Sequence, residues 1–149
     1  MRIARSSFSV EALRESGKDP FADRSLLGKV LESYVVSQIV PDTQWGVHRA
    51  DCYYWRESGR NPKEVDLALL CKNELVGIEI KASTSVSQGD FAGLYSLASD
   101  PRFHRGYVVY FGEKVEPFRR GCAPYPFRPC GIRLRLTMVA ILGKRWKGR

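Results

Sequence analysis

The chain has 149 residues and a mass of 16.9 kDa, which leaves room for one domain with a core of its own. Its hydrophobic content of 44% is typical of a globular α/β protein, and its net charge of +8 favours an anionic partner. The sequence has no apolar run long enough to span a membrane and no Gly-x-x-x-x-Gly-Lys-Ser/Thr loop. We therefore expect neither a membrane protein nor an ATPase within this sequence.

The first predicted element is a helix over about residues 25 to 40. Apolar residues recur there at helical spacing, and Pro41 is expected to end the helix. Glu32 falls at the edge of the apolar stripe, where an unpaired carboxylate would be costly to bury. Either a metal ion or a basic side chain such as Arg56 would satisfy it.

Three β-rich segments follow, at residues 51–57, 63–71 and 75–82. A two-residue turn between the second and third segments would make them a hairpin with Asp66 directly opposite Glu79, their Cβ atoms roughly 5 Å apart. The hairpin predicts a close pair of carboxylates on one face.

Lys81 follows Glu79 by two residues and is expected on the same face, while Ile78 and Ile80 point into the layer behind. Two close carboxylates repel each other unless a cation lies between them, and Mg²⁺ binds a few carboxylates together with water and phosphate oxygens. Lys81 would then orient or deprotonate the attacking water, or neutralise charge on the phosphorus. The alternative is an ordinary antiparallel hairpin that exposes a Glu and a Lys to solvent.

A helix over residues 88–99 and a strand over residues 106–111 complete the pattern. An antiparallel three-strand meander, a crossover helix and a further parallel strand predict an α/β fold, with a mixed central sheet flanked by helices.

Six short motifs follow one another along these elements: Gly28-Lys-Val-Leu-Glu32, Tyr54-Trp-Arg-Glu-Ser-Gly59, Glu64-Val-Asp66, Gly77-Ile-Glu-Ile-Lys-Ala-Ser83, Asp90-Phe-Ala-Gly-Leu94 and Arg105-Gly-Tyr-Val-Val-Tyr-Phe-Gly112. In this order and spacing they resemble the PD-(D/E)xK, restriction-endonuclease-like domain that follows the ATPase core of many bacterial and archaeal AAA-type proteins. The resemblance covers about residues 10 to 118 and implies a restriction-endonuclease-like fold.

The resemblance also implies a site. Glu32, Asp66, Glu79 and Lys81 occupy the four catalytic places of that superfamily, with the three acids as ligands of Mg²⁺ or Mn²⁺. Gln88 or Asp90 resembles a polar position that helps to place the lysine or the water.

The implied activity is metal-dependent cleavage of nucleic acid, with DNA the expected substrate. A module that binds nucleic acid or docks a partner without cleaving remains the alternative. The resemblance implies an AAA-type ATPase as the partner and is compatible with a homodimer. No membrane association is expected. Because the amino end shows no signal-peptide pattern, we expect the cytoplasm.

The basic character lies in the last 31 residues, since residues 119–149 carry 9 Lys and Arg and no acid, whereas residues 1–118 carry 15 basic and 16 acidic residues. We therefore divide the chain into a nuclease-like domain over 1–118 and an atypical extension over 119–149. The extension is interpreted as a nucleic-acid-binding tail, as the product of a shifted reading frame or as a solvated extension. The tail hypothesis assigns DNA contacts to Arg119, Arg120, Arg133, Arg135, Lys144, Arg145 and Lys147.

Overall fold

The computed structural model describes residues 2–3, 24–45, 49–113 and 121–127. These residues form six strands, two α-helices and a short 3₁₀ helix. In chain order the elements are β1 (Arg2–Ile3), α1 (Arg24–Trp45), β2 (Asp51–Arg56), β3 (Glu64–Cys71), β4 (Glu74–Lys81), the 3₁₀ helix (Gln88–Phe91), α2 (Ala92–Leu97), β5 (Phe103–Tyr110) and β6 (Cys122–Pro126).

All six strands form one mixed sheet in the order β1-β2-β3-β4-β5-β6. The pairs from β1 to β4 are antiparallel, and β4–β5 and β5–β6 are parallel. The predicted fold class is confirmed: a meander is followed by a crossover through α2 to a parallel strand, in an α/β architecture with flanking helices.

The β3–β4 hairpin has the predicted register. Its pairs run from Cys71↔Glu74 to Leu67↔Ile78, and Lys72 adopts a positive φ of 57°, which two-residue hairpin turns require at their first position. The pairing stops there, although β3 begins at Glu64 and β4 continues to Lys81. We call this opening the strand fork, defined by residues 64–66 of β3 and 79–81 of β4.

A β-bulge lies in β3 at the strand fork. Tyr53 pairs with Ala68 and Trp55 with Val65, so that Tyr54 alone faces two residues of β3. As a result Val65 and Ala68, which are three positions apart, pack on the same side of the sheet. The bulge thus redirects β3 immediately beside Asp66.

Two apolar cores cover the two faces of the sheet. The core under α2 contains Val65, Ala68, Leu75, Phe91, Leu94, Leu97, Val108 and Cys122. The core under α1 contains Leu31, Val35, Val36, Ile39, Ala50, Leu67, Leu69, Val76, Ile78, Ile80, Val109 and Phe127. The layer that receives Ile78 and Ile80 is therefore the layer of α1, which also carries Glu32.

Several predicted boundaries differ from the structure. Pro41 does not end the first helix, which continues through it to Trp45, although proline has no N–H to donate to the carbonyl of Ser37. The helix predicted over 88–99 is a 3₁₀ turn followed by the short α2. The sheet also continues beyond residue 118 into β6, so the predicted domain boundary falls before the last described strand. Among the described helices, none is long and apolar enough to cross a membrane.

Candidate functional site

A cleft of about 380 Å³ opens between the amino-terminal half of α1 and the strand fork. We call it the carboxylate cleft. It is lined by Ser25, Gly28, Lys29, Glu32, Asp66, Ile80, Lys81, Ala82 and Ser83. Three of the four predicted site residues, Glu32, Asp66 and Lys81, therefore share one cleft.

Asp66 closes the hairpin at the strand fork. Its Oδ2 atom accepts a hydrogen bond of 2.7 Å from the backbone N–H of Ile80, which lies beyond the last paired residues of β4. Burial raises the pKa of Asp66 despite this bond and the nearby charge of Lys81. The carboxylate is thus fixed in position and energetically unfavourable in its ionised form.

Glu79 is the most strongly perturbed acid of the site. Its side chain is 12% exposed, and Oε1 lies 2.7 Å from Nζ of Lys81. The other oxygen, Oε2, is buried without a hydrogen-bond partner among the described residues. Burial, followed by the negative charge of Asp66, raises the pKa of Glu79 to about 7.

Lys81 is a cation in this setting. Burial alone would lower its pKa, but the hydrogen bond with Glu79 and the charges of Glu79, Asp66 and Asp90 raise it overall. A raised pKa keeps the ammonium protonated at neutral pH.

Glu32 approaches from α1 around the open end of the fork. Burial and then the charge of Asp66 raise its pKa, while Lys29 and Lys81 oppose the shift. Because Ile78 and Ile80 pack in the α1-side core, alternation along β4 places Glu79 on the other face of the sheet, and Glu79 is not among the residues that line the cleft. Lys81, at the end of β4, does line the cleft. Asp66 and Lys81 influence both Glu32 and Glu79, and thus connect the two sides of the site. The alternative partner Arg56 is instead ion-paired to Glu64, at 3.1 Å.

Glu64 and Tyr54 also belong to the site, and the sequence analysis assigned neither of them a role. The charge of Glu64 raises the pKa of both Glu32 and Asp66. Burial, followed by the interaction with Glu64, raises the pKa of Tyr54 to about 12. The Glu-x-Asp spacing was a usable signal for Glu64, but strand alternation alone cannot place Tyr54 without knowledge of the bulge.

Two polar positions, Gln88 and Asp90, were predicted to act on the lysine or the water, and Asp90 is the one that influences Lys81. Its Oδ2 accepts hydrogen bonds from the backbone N–H of Ser87 at 2.7 Å and from the Ser87 hydroxyl at 2.9 Å. Its charge also contributes to the raised pKa of Lys81. Gln88 is exposed at the start of the 3₁₀ helix.

The residues fit a hard divalent cation in part. Carboxylate oxygens are the ligands that Mg²⁺ and Mn²⁺ prefer, and Oε2 of Glu79 is buried without a hydrogen-bond partner among the described residues. However, within residues 24–45, 49–113 and 121–127 no three His, Cys, Asp or Glu side chains are grouped closely enough to hold an ion. The predicted convergence of Glu32, Asp66 and Glu79 is therefore incomplete, because Glu79 lies on the face of the sheet opposite to α1, which carries Glu32.

The predicted tail contacts lie outside the described residues. These are Arg119, Arg120, Arg133, Arg135, Lys144, Arg145 and Lys147.

Comparisons with known proteins give a family and a structural neighbour. The family model of a domain of unknown function, DUF4143, matches residues 27–128. Among solved structures, the chain is similar to protein VC1899 from Vibrio cholerae, with 23% identity and a TM-score of 0.42. That match covers 91% of this chain and 36% of the other, so this chain spans a little over a third of that protein's length. No curated protein matches the sequence.

Proposed function

This chain belongs to the DUF4143 family, and from the geometry of its strand fork we propose that it is a divalent-metal-dependent nuclease of the PD-(D/E)xK type that cleaves DNA. The observation that carries the proposal is the buried Oε2 of Glu79, which has no partner among the described residues and lies on a carboxyl close to Asp66. Lys81 supplies one positive charge to the two acids, 2.7 Å from Oε1 of Glu79, and leaves Oε2 available to a second cation. The order and spacing of the six sequence motifs support the same proposal and add an AAA-type ATPase as the expected partner.

In the proposed mechanism Asp66 and Glu79 would hold Mg²⁺ or Mn²⁺, and Glu32 would complete the site from α1. A bound ion would supply electrostatic stabilisation of the charge that develops on the phosphate. Lys81 lies within 2.7 Å of Glu79, and its raised pKa supports a cationic role. It orients the attacking water by hydrogen bonding and neutralises the phosphate, whereas a role as general base would require a lowered pKa.

A cleavage assay with plasmid and branched DNA, in Mg²⁺ or Mn²⁺, tests this function. We expect Lys81→Ala and Glu79→Gln to reduce the cleavage rate by about 100-fold or more. The matched control is Glu74→Gln, which changes an exposed acid at the other end of the same strand and is expected to leave the rate unchanged. Cleavage at equal rates in the wild type and in Lys81→Ala would contradict the proposal.

The second candidate is a module that binds nucleic acid or an ATPase partner without catalysis. It is favoured by one observation, namely that no metal-ligand group is assembled in the described part of the chain. This candidate expects DNA binding that is insensitive to Mg²⁺ and to Asp66→Ala, together with no cleavage by the wild type.

A further inference from the structure

A short loop that carries Arg60 and Lys63 leads into the strand fork. It joins β2 to β3 over residues 57–63 and is closed by a 2.8 Å hydrogen bond from the N–H of Glu57 to the carbonyl of Lys63. Gly59 adopts a φ of 140° there, a conformation that L side chains rarely reach. The loop is therefore a tight turn that leads directly into the first residue of the strand fork.

Three basic residues lie on this loop and on the strand that enters it. We call Arg56, Arg60 and Lys63 the basic rim. The side chain of Arg56 is 57% exposed, and Arg60 is exposed. The acid within the loop, Glu57, accepts a 3.0 Å hydrogen bond from the Ser96 hydroxyl, which ties that carboxylate to α2.

The basic rim is connected to the strand fork through Glu64. Arg56 pairs with Glu64 at 3.1 Å, and Glu64 lies two residues before Asp66 on β3. The charge of Glu64 also raises the pKa of Glu32 and Asp66, which line the cleft. An exposed ion pair of this kind contributes little to stability, so the guanidinium can exchange Glu64 for a phosphate at small cost.

The spacing matches a nucleic-acid backbone. Lys63 precedes Asp66 by three strand residues, which is about 10 Å along the chain. Phosphates of one DNA strand repeat at about 3.4 Å along the helix axis, so a phosphate in the cleft has neighbours within reach of the rim.

We propose that the basic rim is the surface on which the DNA backbone docks beside the carboxylate cleft, an inference that rests on the proposed function. The rim contacts phosphates and contributes affinity without sequence preference. Substrate then enters across the β2–β3 loop, and the acids of the cleft receive the phosphate that is cleaved.

Fluorescence anisotropy with a labelled DNA duplex in Ca²⁺, over a range of salt concentrations, tests the inference on the full chain. The variant is Arg60→Ala/Lys63→Ala. We expect the variant to bind DNA at least about 10-fold more weakly than the wild type. The slope of log affinity against log salt concentration should be smaller in magnitude by about 2, because roughly one unit is lost with each phosphate contact.

The matched control, Arg49→Ala/Lys72→Gly, removes the same charge from a second cleft at the other end of β3. Glycine is chosen at Lys72 because of its positive φ. We expect the control to bind as the wild type does, and an equal loss in both double variants would overturn the inference in favour of general charge attraction.

The nuclease proposal and the docking-surface proposal can be contradicted independently of each other. Wild-type protein that cleaves DNA while Arg60→Ala/Lys63→Ala keeps the full salt slope would overturn the docking surface and leave the nuclease standing. Wild-type protein that binds through the rim but never cleaves would overturn the nuclease alone. A wild type that neither binds nor cleaves DNA would overturn both.

Discussion

The carboxyl of Glu79 is buried, and its negative charge is only partly neutralised by Lys81 because the negative charge of Asp66 is close. Its pKa rises from the usual 4.5 to about 7, so between these pH values the folded protein retains a proton that the unfolded chain has released. The contribution of Glu79 to stability is therefore most favourable below pH 4.5 and is lost as the pH rises from 4.5 through 7. The shift corresponds to a loss on the order of 3 kcal/mol in the metal-free protein.

Replacing this carboxyl should stabilise the metal-free protein above neutral pH. For Glu79→Gln we expect the free energy of unfolding at pH 8 to rise by up to about 3 kcal/mol, because the amide cannot ionise, and to stay near the wild-type value at pH 4.5. Urea denaturation in the presence of a chelator measures this difference. Glu74→Gln serves as the exposed control, and an equal gain at both pH values would show that packing, and not charge, is responsible.

At the scale of elements, the strand fork depends on the close contact between α2 and β3. Gly93 of α2 lies against the backbone carbonyl of Glu64, and a Cβ at this position would collide with that oxygen. Gly28 of α1 offers the opposite case, since a Cβ there would have no heavy atom within 4 Å. The two glycines form a matched pair in two helices that flank the same site.

Alanine at these two positions should have opposite effects. We expect Gly93→Ala to lower the free energy of unfolding by about 3 kcal/mol, because a backbone carbonyl cannot give way as a flexible side chain does. Gly28→Ala should raise it by about 1 kcal/mol through reduced backbone entropy of the unfolded chain. Thermal unfolding followed by circular dichroism compares the two, and a stable Gly93→Ala protein would refute the close contact.

The hairpin was predictable from sequence because its turn is local. Two residues, Lys72 and Asn73, separate the strands, and the length of the turn fixes which residues pair. The bulge beside Asp66 was not predictable, because it depends on a mismatch between β3 and its other neighbour, β2. The position of Tyr54 beside β3 could not be predicted for the same reason, whereas Glu64 is marked by the Glu-x-Asp spacing.

Glu32 shows a second limit of sequence reasoning. Helical periodicity placed it correctly at the edge of the buried stripe, where burial raises its pKa. Periodicity cannot reveal that α1 packs on the face that receives Ile80, so the route by which Glu32 approaches Asp66 required the tertiary structure.

At the scale of the whole molecule, the described core extends past the point where the charge pattern changes. Cys122 is 1% exposed in the core under α2, and Phe127 is 8% exposed in the core under α1. The family match also reaches residue 128. The charge composition of the chain changes at residue 118, whereas the buried side chains at residues 122 and 127 pack in the cores of the same sheet.

Phe127 tests where the folded unit ends. Its ring lies edge-on to Tyr34 and Phe111, at centroid distances of 5.8 and 5.6 Å, and its N–H donates to the carbonyl of Tyr110 at 2.6 Å. We expect Phe127→Ala to lower the free energy of unfolding by about 3 kcal/mol through loss of buried surface and the cavity it leaves. Phe127→Leu, which retains most of the volume, should cost about 1 kcal/mol. Urea denaturation measures both, and two values near zero would mean that residues beyond 118 contribute nothing to the core.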